Sequence, residues 1–190
     1  METDRVKWNQ RFGSEDYYLG DRPSPFLVQE IEQIKRLAPG TTALDIACGE
    51  GRNSVFLARQ GFRVTALDIS DVGIAKGMKQ AEAAGVAVDF RQVDLDGYNI
   101  IERFDLIINF NFLLRPLISE EVQALNPGGL LVFDTILGSP QLLAEHNPAY
   151  LLHPGELERI FMGFDGRILF SEESRQGEMP TARLLFRKRI

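Results

Sequence analysis

The feature that most constrains this chain is the run Thr42-Ala43-Leu44-Asp45-Ile46-Ala47-Cys48-Gly49-Glu50-Gly51-Arg52-Asn53-Ser54, continued by Val55-Phe56-Leu57-Ala58. An apolar stretch holding one aspartate ends on two glycines one residue apart and passes into helical spacing. That pattern predicts strand, tight turn and helix. Glycines lack a Cβ, so the backbone can take dihedrals closed to other residues and come close to a ligand. The first N–H groups of the following helix have no partner within it and face that ligand, as suits something nucleotide-like. A second apolar run, Phe62-Arg63-Val64-Thr65-Ala66-Leu67-Asp68, ends on a carboxylate about twenty residues beyond the turn. Nucleotide-binding α/β units place the acid that grips the ribose hydroxyls at that spacing.

The rest of the chain repeats the alternation. Residues 5–12 suggest a short amphipathic helix carrying Trp8 and Arg11, followed over 13–25 by glycines, aromatics and acids. Pro25 can open a helix over 26–37, where Leu27, Ile31, Ile34 and Leu37 recur at helical spacing, and Pro39-Gly40 stops it. The helix after the glycine turn, about 53–60, ends at Gly61; Ser70 and Asp71 can cap a helix that runs to about Ala84 and closes at Gly85. Strands are expected over 87–94, 104–109 and 130–137, with a helix over 116–125 and a turn at Asn126-Pro127-Gly128-Gly129. Residues 138–153 read as a loop-rich insertion and 154–162 as a helix with Glu156 and Glu158 early in it. The last two strands, 166–172 and 183–189, are joined by polar residues too few for anything but an antiparallel pair. The pattern is a doubly wound α/β sheet ending in a hairpin, without internal repeats.

Length and composition narrow the class. At 190 residues and 44% hydrophobic, residues 1–190 suit one domain with a sizeable core. A net charge of −6 argues against a broad phosphate-binding footprint, so no nucleic-acid partner is expected. The one cysteine, Cys48, allows neither an intrachain disulfide framework nor a thiolate metal cluster, and no metal is expected. The start is charged, and the longest apolar run is too short to span a bilayer. The expectation is a cytoplasmic protein without a membrane partner, monomeric or a small homo-oligomer.

These residues resemble the class I S-adenosylmethionine-dependent methyltransferases. The resemblance runs from Thr42 to the closing hairpin. It rests on Leu44-Asp45-Ile46-Ala47-Cys48-Gly49-Glu50-Gly51, Ala66-Leu67-Asp68-Ile69-Ser70, Val93-Asp94-Leu95, Phe104-Asp105-Leu106-Ile107 and Leu125-Asn126-Pro127-Gly128-Gly129. It implies a Rossmann-like seven-stranded sheet, mostly parallel with the last strand antiparallel. It also implies S-adenosyl-L-methionine as cofactor and S-adenosyl-L-homocysteine as product. Trp8, Arg11, Gly20 and Pro23-Ser24-Pro25-Phe26-Leu27 further resemble small tellurite-resistance-type and thiol-type methyltransferases. One departure is Ala47, where the family has glycine; its small methyl should tighten packing around the methionine end.

Each site residue has a functional and a plainer reading. Asp45 lies inside the first strand, where the resemblance assigns it to the donor's ammonium group; it could equally cap the glycine turn. Asp68 is the ribose acid by spacing. Asp94, at the end of the third strand, suits the adenine amine, with Asp96 as its competitor. The resemblance completes the cofactor set with Ala47, Gly49, Gly51, Asn53, Ile69, Leu95 and Asn109, and adds Trp8 and Arg11 from the N-terminal segment. Cys48 reads as a small buried spacer. Residues 1–25 form a lid over a core of 26–190, with Trp8, Arg11, Tyr17 and Tyr18 above the sulfonium; packing of an N-terminal helix on the core is the alternative. Asn109 and Asn111 interrupt the fourth strand, where amides would be costly if buried unpaired, so a polar site is expected there. The candidates for a catalytic role are Arg11, Tyr18, Asn109 and Arg115, although Arg115 could be a solvated helix-start residue. His146 and His153 read as structural or exposed.

The expected reaction is in-line methyl transfer to a small-molecule nucleophile such as a thiol or a chalcogen oxyanion. Such groups attack without a general base, whereas a hydroxyl or protonated amine needs one, and neither histidine is suited to it. Two other classes stay open. Gly49-Glu50-Gly51-Arg52-Asn53-Ser54 nearly satisfies a dinucleotide fingerprint, which would make a nucleotide-dependent oxidoreductase. A module that binds the methyl donor without transferring its methyl is the other.

Overall fold

A computed structural model describes residues 2–145, 147–174 and 179–190. His146 and part of the polar link before the last strand lie outside the described residues. The chain begins with α1 (Glu2–Phe12) and α2 (Pro25–Leu37), then alternates β1 (Thr42–Ile46), α3 (Arg52–Arg59), β2 (Arg63–Asp68), α4 (Asp71–Ala84) and β3 (Val88–Gln92). The second half runs β4 (Phe104–Phe110), α5 (Arg115–Ala124), β5 (Leu125–Ile136), α6 (Pro140–Glu145), α7 (Glu156–Phe161), β6 (Gly166–Ser174) and β7 (Thr181–Lys188).

All seven strands form one sheet in the order β3-β2-β1-β4-β5-β7-β6. The pairs β1–β2, β2–β3, β1–β4 and β4–β5 are parallel. β7 runs antiparallel to both β5 and β6. Side chains alternate across each strand, so the core divides in two. Leu44, Ile46, Ile107, Leu131, Phe133 and Leu184 pack on the face covered by α5 and α7. Ala43, Val64, Leu106, Ile108, Val132 and Leu185 pack with Leu27, Ile34 and Leu57 on the face of α2 and α3. Every residue of β4 is buried, as expected of a parallel strand covered on both faces. Burying each large aliphatic side chain contributes about 1.5–3 kcal/mol, and these two layers hold the sheet.

Several boundaries differ from the sequence expectation. α1 begins at Glu2. β3 ends at Gln92, which leaves Asp94 exposed in the loop beyond it. The Asn126–Gly129 turn does not precede β5 but interrupts it as a bulge: Phe104 pairs with Leu125 and Leu106 with Leu130. Gly128 has φ +77°, and Asn126 donates its amide to Asp105 Oδ1 at 2.8 Å. The insertion is more ordered than a loop, holding α6 and a 3₁₀ turn at Pro148–Tyr150. Among the described residues, no helix is long and apolar enough to cross a membrane.

Strand order reverses between β1 and β4, the strands nearest the centre of the sheet. In open α/β sheets the crevice at the carboxyl ends beside such a reversal is where ligands bind. The glycine turn that follows β1 sits there.

Candidate cofactor and acceptor site

Between β1 and α3 the backbone reverses through three left-handed residues, Ala47 (φ +53°), Gly49 (φ +55°) and Gly51 (φ +80°). A Cβ at Gly51 would lie 2.9 Å from Phe90 Cζ and 3.0 Å from the Cα of Gly77. Only glycine lets α3 and α4 approach that closely. Ala47 holds a left-handed conformation that costs a non-glycine residue on the order of 1 kcal/mol, so the alanine substitutes for glycine with strain.

Asp68, at the end of β2, accepts the Gly49 N–H at 2.7 Å and the Ser70 N–H at 2.8 Å. The glycine turn is therefore held by Asp68 and not by Asp45, the residue that the capping alternative named. Burial raises the Asp68 pKa, against the lowering by these N–H bonds. Each carboxylate oxygen keeps a further lone pair for a hydroxyl donor. Asp45 lies beneath the turn, 2% exposed, and accepts the Ser54 hydroxyl at 2.5 Å. Burial pushes its pKa up to about 7, the Ser54 bond opposes this, and the Asp68 charge adds to it. Cys48 packs beside them, its thiol pKa raised by burial and by both aspartates, which makes it inert.

The segment between α1 and α2 is laced to this turn. Glu50, 6% exposed, accepts the Tyr18 N–H at 2.7 Å and pairs with Lys76 Nζ at 2.8 Å. Lys76 also donates to the carbonyls of Ser14 and Asp16. Arg52 donates to the carbonyls of Leu19 and Arg22, and Asn53 Oδ1 accepts the Ser24 N–H at 2.8 Å. The Asn53 side chain thus serves this segment. Glu50, Arg52 and Lys76 were missed from the sequence, because solvated charges and charges bonded to a distant backbone look alike there.

α1 docks on the start of α4. Asn9 bonds Ser70 and Asp71, and Arg5 pairs with Asp71. Phe12 is 5% exposed and would touch a Cβ at Gly49 at 3.2 Å, so its ring lies on the turn. Trp8 stacks on Phe12 with ring centroids 5.5 Å apart, and Tyr18 meets both edge-on. The Arg11 guanidinium lies 4.9 Å from the Trp8 ring centroid and 5.6 Å from that of Tyr18. Lys7 Nζ is 5.8 Å from the centroids of Trp8 and of Tyr150, which brings α1 up to the insertion.

Other expected site residues go elsewhere. Asn109 is buried inside β4 and donates its amide to Glu121 Oε1 of α5 at 2.8 Å, leaving Asn109 Oδ1 and Glu121 Oε2 without partners. Arg115 is half-buried, with all three guanidinium nitrogens engaged by protein acceptors. It grips Glu156 at 2.6 and 3.0 Å and donates to the carbonyls of Ala149 and Leu151, clamping the insertion to α5 and α7. His153 is exposed, and its N–H bonds Glu156. Leu95 is buried, Ile69 half-buried, and Asn111 stands exposed after β4 at φ +56°.

Residues 43–129 match the methyltransferase domain family. The ubiquinone biosynthesis O-methyltransferase of Methylobacterium sp. (strain 4-46) is 37% identical over 103 residues, covering 51% of this chain and 41% of the relative. The chain spans about half the length of the curated relatives it matches. The fold is shared with TehB from Haemophilus influenzae, TM-score 0.73 at 23% identity over 85% of this chain and 62% of that one. It is shared too with the N-methyltransferase NodS from Bradyrhizobium japonicum WM9, determined with S-adenosyl-L-homocysteine, TM-score 0.73 at 21% identity over 97% of both chains. Sheet order, glycine turn and matched segment together support a class I S-adenosylmethionine-dependent methyltransferase.

Proposed function

We propose that this chain binds S-adenosyl-L-methionine at the carboxyl edge of β1–β4 and transfers its methyl to a small-molecule nucleophile by in-line displacement. The supporting observation is the turn at residues 47–51. Its three left-handed residues turn the chain at the carboxyl end of β1, and Asp68 beside it has lone pairs to spare for ribose hydroxyls. Asp94, exposed beyond β3, and buried Leu95 meet adenine in this reading. Asp45 beneath the turn supplies negative charge toward the ammonium end; the positive ligand would draw its proton off. Ala47, Gly49, Gly51 and Ile69 complete the cofactor set, while Asn109, buried against Glu121, falls outside it.

When bound, the donor supplies an electrophilic methyl on a sulfonium. The chain's own task is to align the acceptor and keep water out, and well-oriented reactants gain roughly 7–11 kcal/mol of barrier this way. Residues 1–25 act as the lid, with the rings of Trp8, Phe12 and Tyr18 above the turn and Arg11 and Lys7 at its rim. Tyr150 closes the opposite side. The acceptor is a thiol, a chalcogen oxyanion or a hydroxyl; the last follows the names of the O-methyltransferase relatives. The reading includes one domain, no nucleic acid, and a cytoplasmic monomer or small homo-oligomer. Titration calorimetry tests it: S-adenosyl-L-homocysteine binds and NAD does not. Binding of NAD alone would make the chain an oxidoreductase of the same sheet class.

A further inference from the structure

At the carboxyl end of β5 stands a second acid inside an apolar strand, Asp134. It is 8% exposed, pairs in register with Phe110 at the end of β4, and its carbonyl accepts the Asn111 N–H at 2.8 Å. This puts it on the strand next to β4, at the same edge as the glycine turn and on the sheet face of α2 and α3. Arg183, its partner in register on β7, lies with Nε 3.5 Å from Asp134 Oδ2 and its guanidinium 5.6 Å from the Phe26 ring. The pair is incompletely joined. Asp134 Oδ1 and Arg183 Nε are both buried without a hydrogen-bond partner, one an acceptor and the other a donor. Leaving such groups unmatched costs about 1–3 kcal/mol each, more when they are charged.

A single group that donates one hydrogen bond and accepts another would satisfy both, and a hydroxyl is such a group. We propose that Asp134 and Arg183 receive the methyl acceptor's hydroxyl, with Asp134 as its general base. This rests on the methyltransferase reading above. The hydroxyl donates to Asp134 Oδ1 and accepts from Arg183 Nε. As an oxygen lone pair forms the new C–O bond, the C–S bond breaks with its electrons passing to sulfur, and the hydroxyl proton goes to Asp134. The products are an ether, a neutral thioether and a neutral carboxylic acid, which releases its proton to water. Proton transfer to Asp134 runs ahead of C–O bond formation, and Arg183 steadies the partial negative charge this leaves on oxygen, a role in which preorganised donors act strongly away from water.

The surroundings suit a base that works near neutrality. Burial pushes the Asp134 pKa up to about 6, and Arg183 and Arg52 pull against it. Those are the charges facing it, from β7 and α3; Glu172 on β6 stands behind Arg183, its Oε2 3.7 Å from Nη1. Arg52 also holds the carbonyls of Leu19 and Arg22, so the segment bordering the pair belongs to the proposed lid. Catalysis by a positioned base contributes about 10²–10⁴-fold.

The test compares wild type with Asp134→Asn and Asp134→Glu, using catechol and thiophenol as probe acceptors. Calorimetry with S-adenosyl-L-homocysteine comes first: absence of binding in the wild type defeats the family reading, not the assignment of Asp134. With binding intact, catechol should be O-methylated with kcat/KM rising through about pH 6 to a plateau. Asp134→Asn should lose about 100-fold or more and the pH rise with it. Its affinity for catechol in the presence of S-adenosyl-L-homocysteine should fall about tenfold, while affinity for S-adenosyl-L-homocysteine itself stays within about twofold. Asp134→Glu should restore part of the rate and the pH rise. Methylation of thiophenol alone, or an Asp134→Asn variant with the wild-type rate and profile on catechol, would overturn the proposal and leave the pair a site for a structural water.

Discussion

Replacing Glu121 by glutamine should remove a pH dependence from folding, by an amount that follows from where the residue sits. Glu121 is fully buried between α5 and β4, and its one hydrogen bond comes from the Asn109 amide. Burial pushes its pKa from 4.5 up to about 7, and the Asn109 bond opposes the shift only in part. The folded state therefore holds a proton that the unfolded chain has already released. Stability from this group is full below pH 4.5 and is lost as pH rises through about 7. At about 1.4 kcal/mol per factor of ten, the whole effect is on the order of 3 kcal/mol, of which about 2.5 kcal/mol falls between pH 5 and pH 8. Glutamine imitates the protonated form and keeps an oxygen for Asn109, so Glu121→Gln lacks this dependence. Asp45 and Asp134 titrate in the same window, but both proteins carry them and their effects cancel in the difference. Urea unfolding at pH 5 and pH 8 measures it. The midpoint of the variant relative to wild type should rise by roughly 1 M urea between the two, for a slope of about 2 kcal/mol per molar. A midpoint difference that stays the same at both pH values would refute a buried, proton-holding Glu121.

Asp68→Ala should weaken S-adenosyl-L-homocysteine binding about tenfold or more by calorimetry, because it removes both the ribose acceptor and the bond to the Gly49 N–H. Asp96→Ala should change it less than about threefold, and equal effects would misplace the ribose acid. Arg115→Ala should free the insertion from Glu156 and from the carbonyls of Ala149 and Leu151. Limited proteolysis within 139–153 should then speed up about tenfold while the sheet's circular dichroism is unchanged; an unaltered cleavage rate would show that the clamp holds nothing.

Most of the architecture was legible because hydrophobic spacing reports which face of its own element a residue occupies. β4 is apolar throughout and is buried on both faces; Leu27, Ile31 and Ile34 recur at helical spacing and are buried in α2. The glycine turn was legible for a stricter reason, since positive φ at Gly49 and Gly51 admits few other residues. Element ends were less so. Asn126-Pro127-Gly128-Gly129 signals a turn whether the chain leaves the strand or only bulges within it, and pairing with β4 decided for the bulge. Asp134 carried the same mark as Asp45, an acid inside an apolar strand, and could have been singled out by it. Its partner could not. Asp134 and Arg183 meet because β7 pairs with β5 in one register, and Arg52 reaches the same place because Gly51 turns α3 back over the sheet. The alternation of strands and helices and the site's turn could be read from local spacing, because they depend on residues close in the chain. Which charges face one another emerged with the folded chain, because strand register and helix packing join residues that local spacing does not relate.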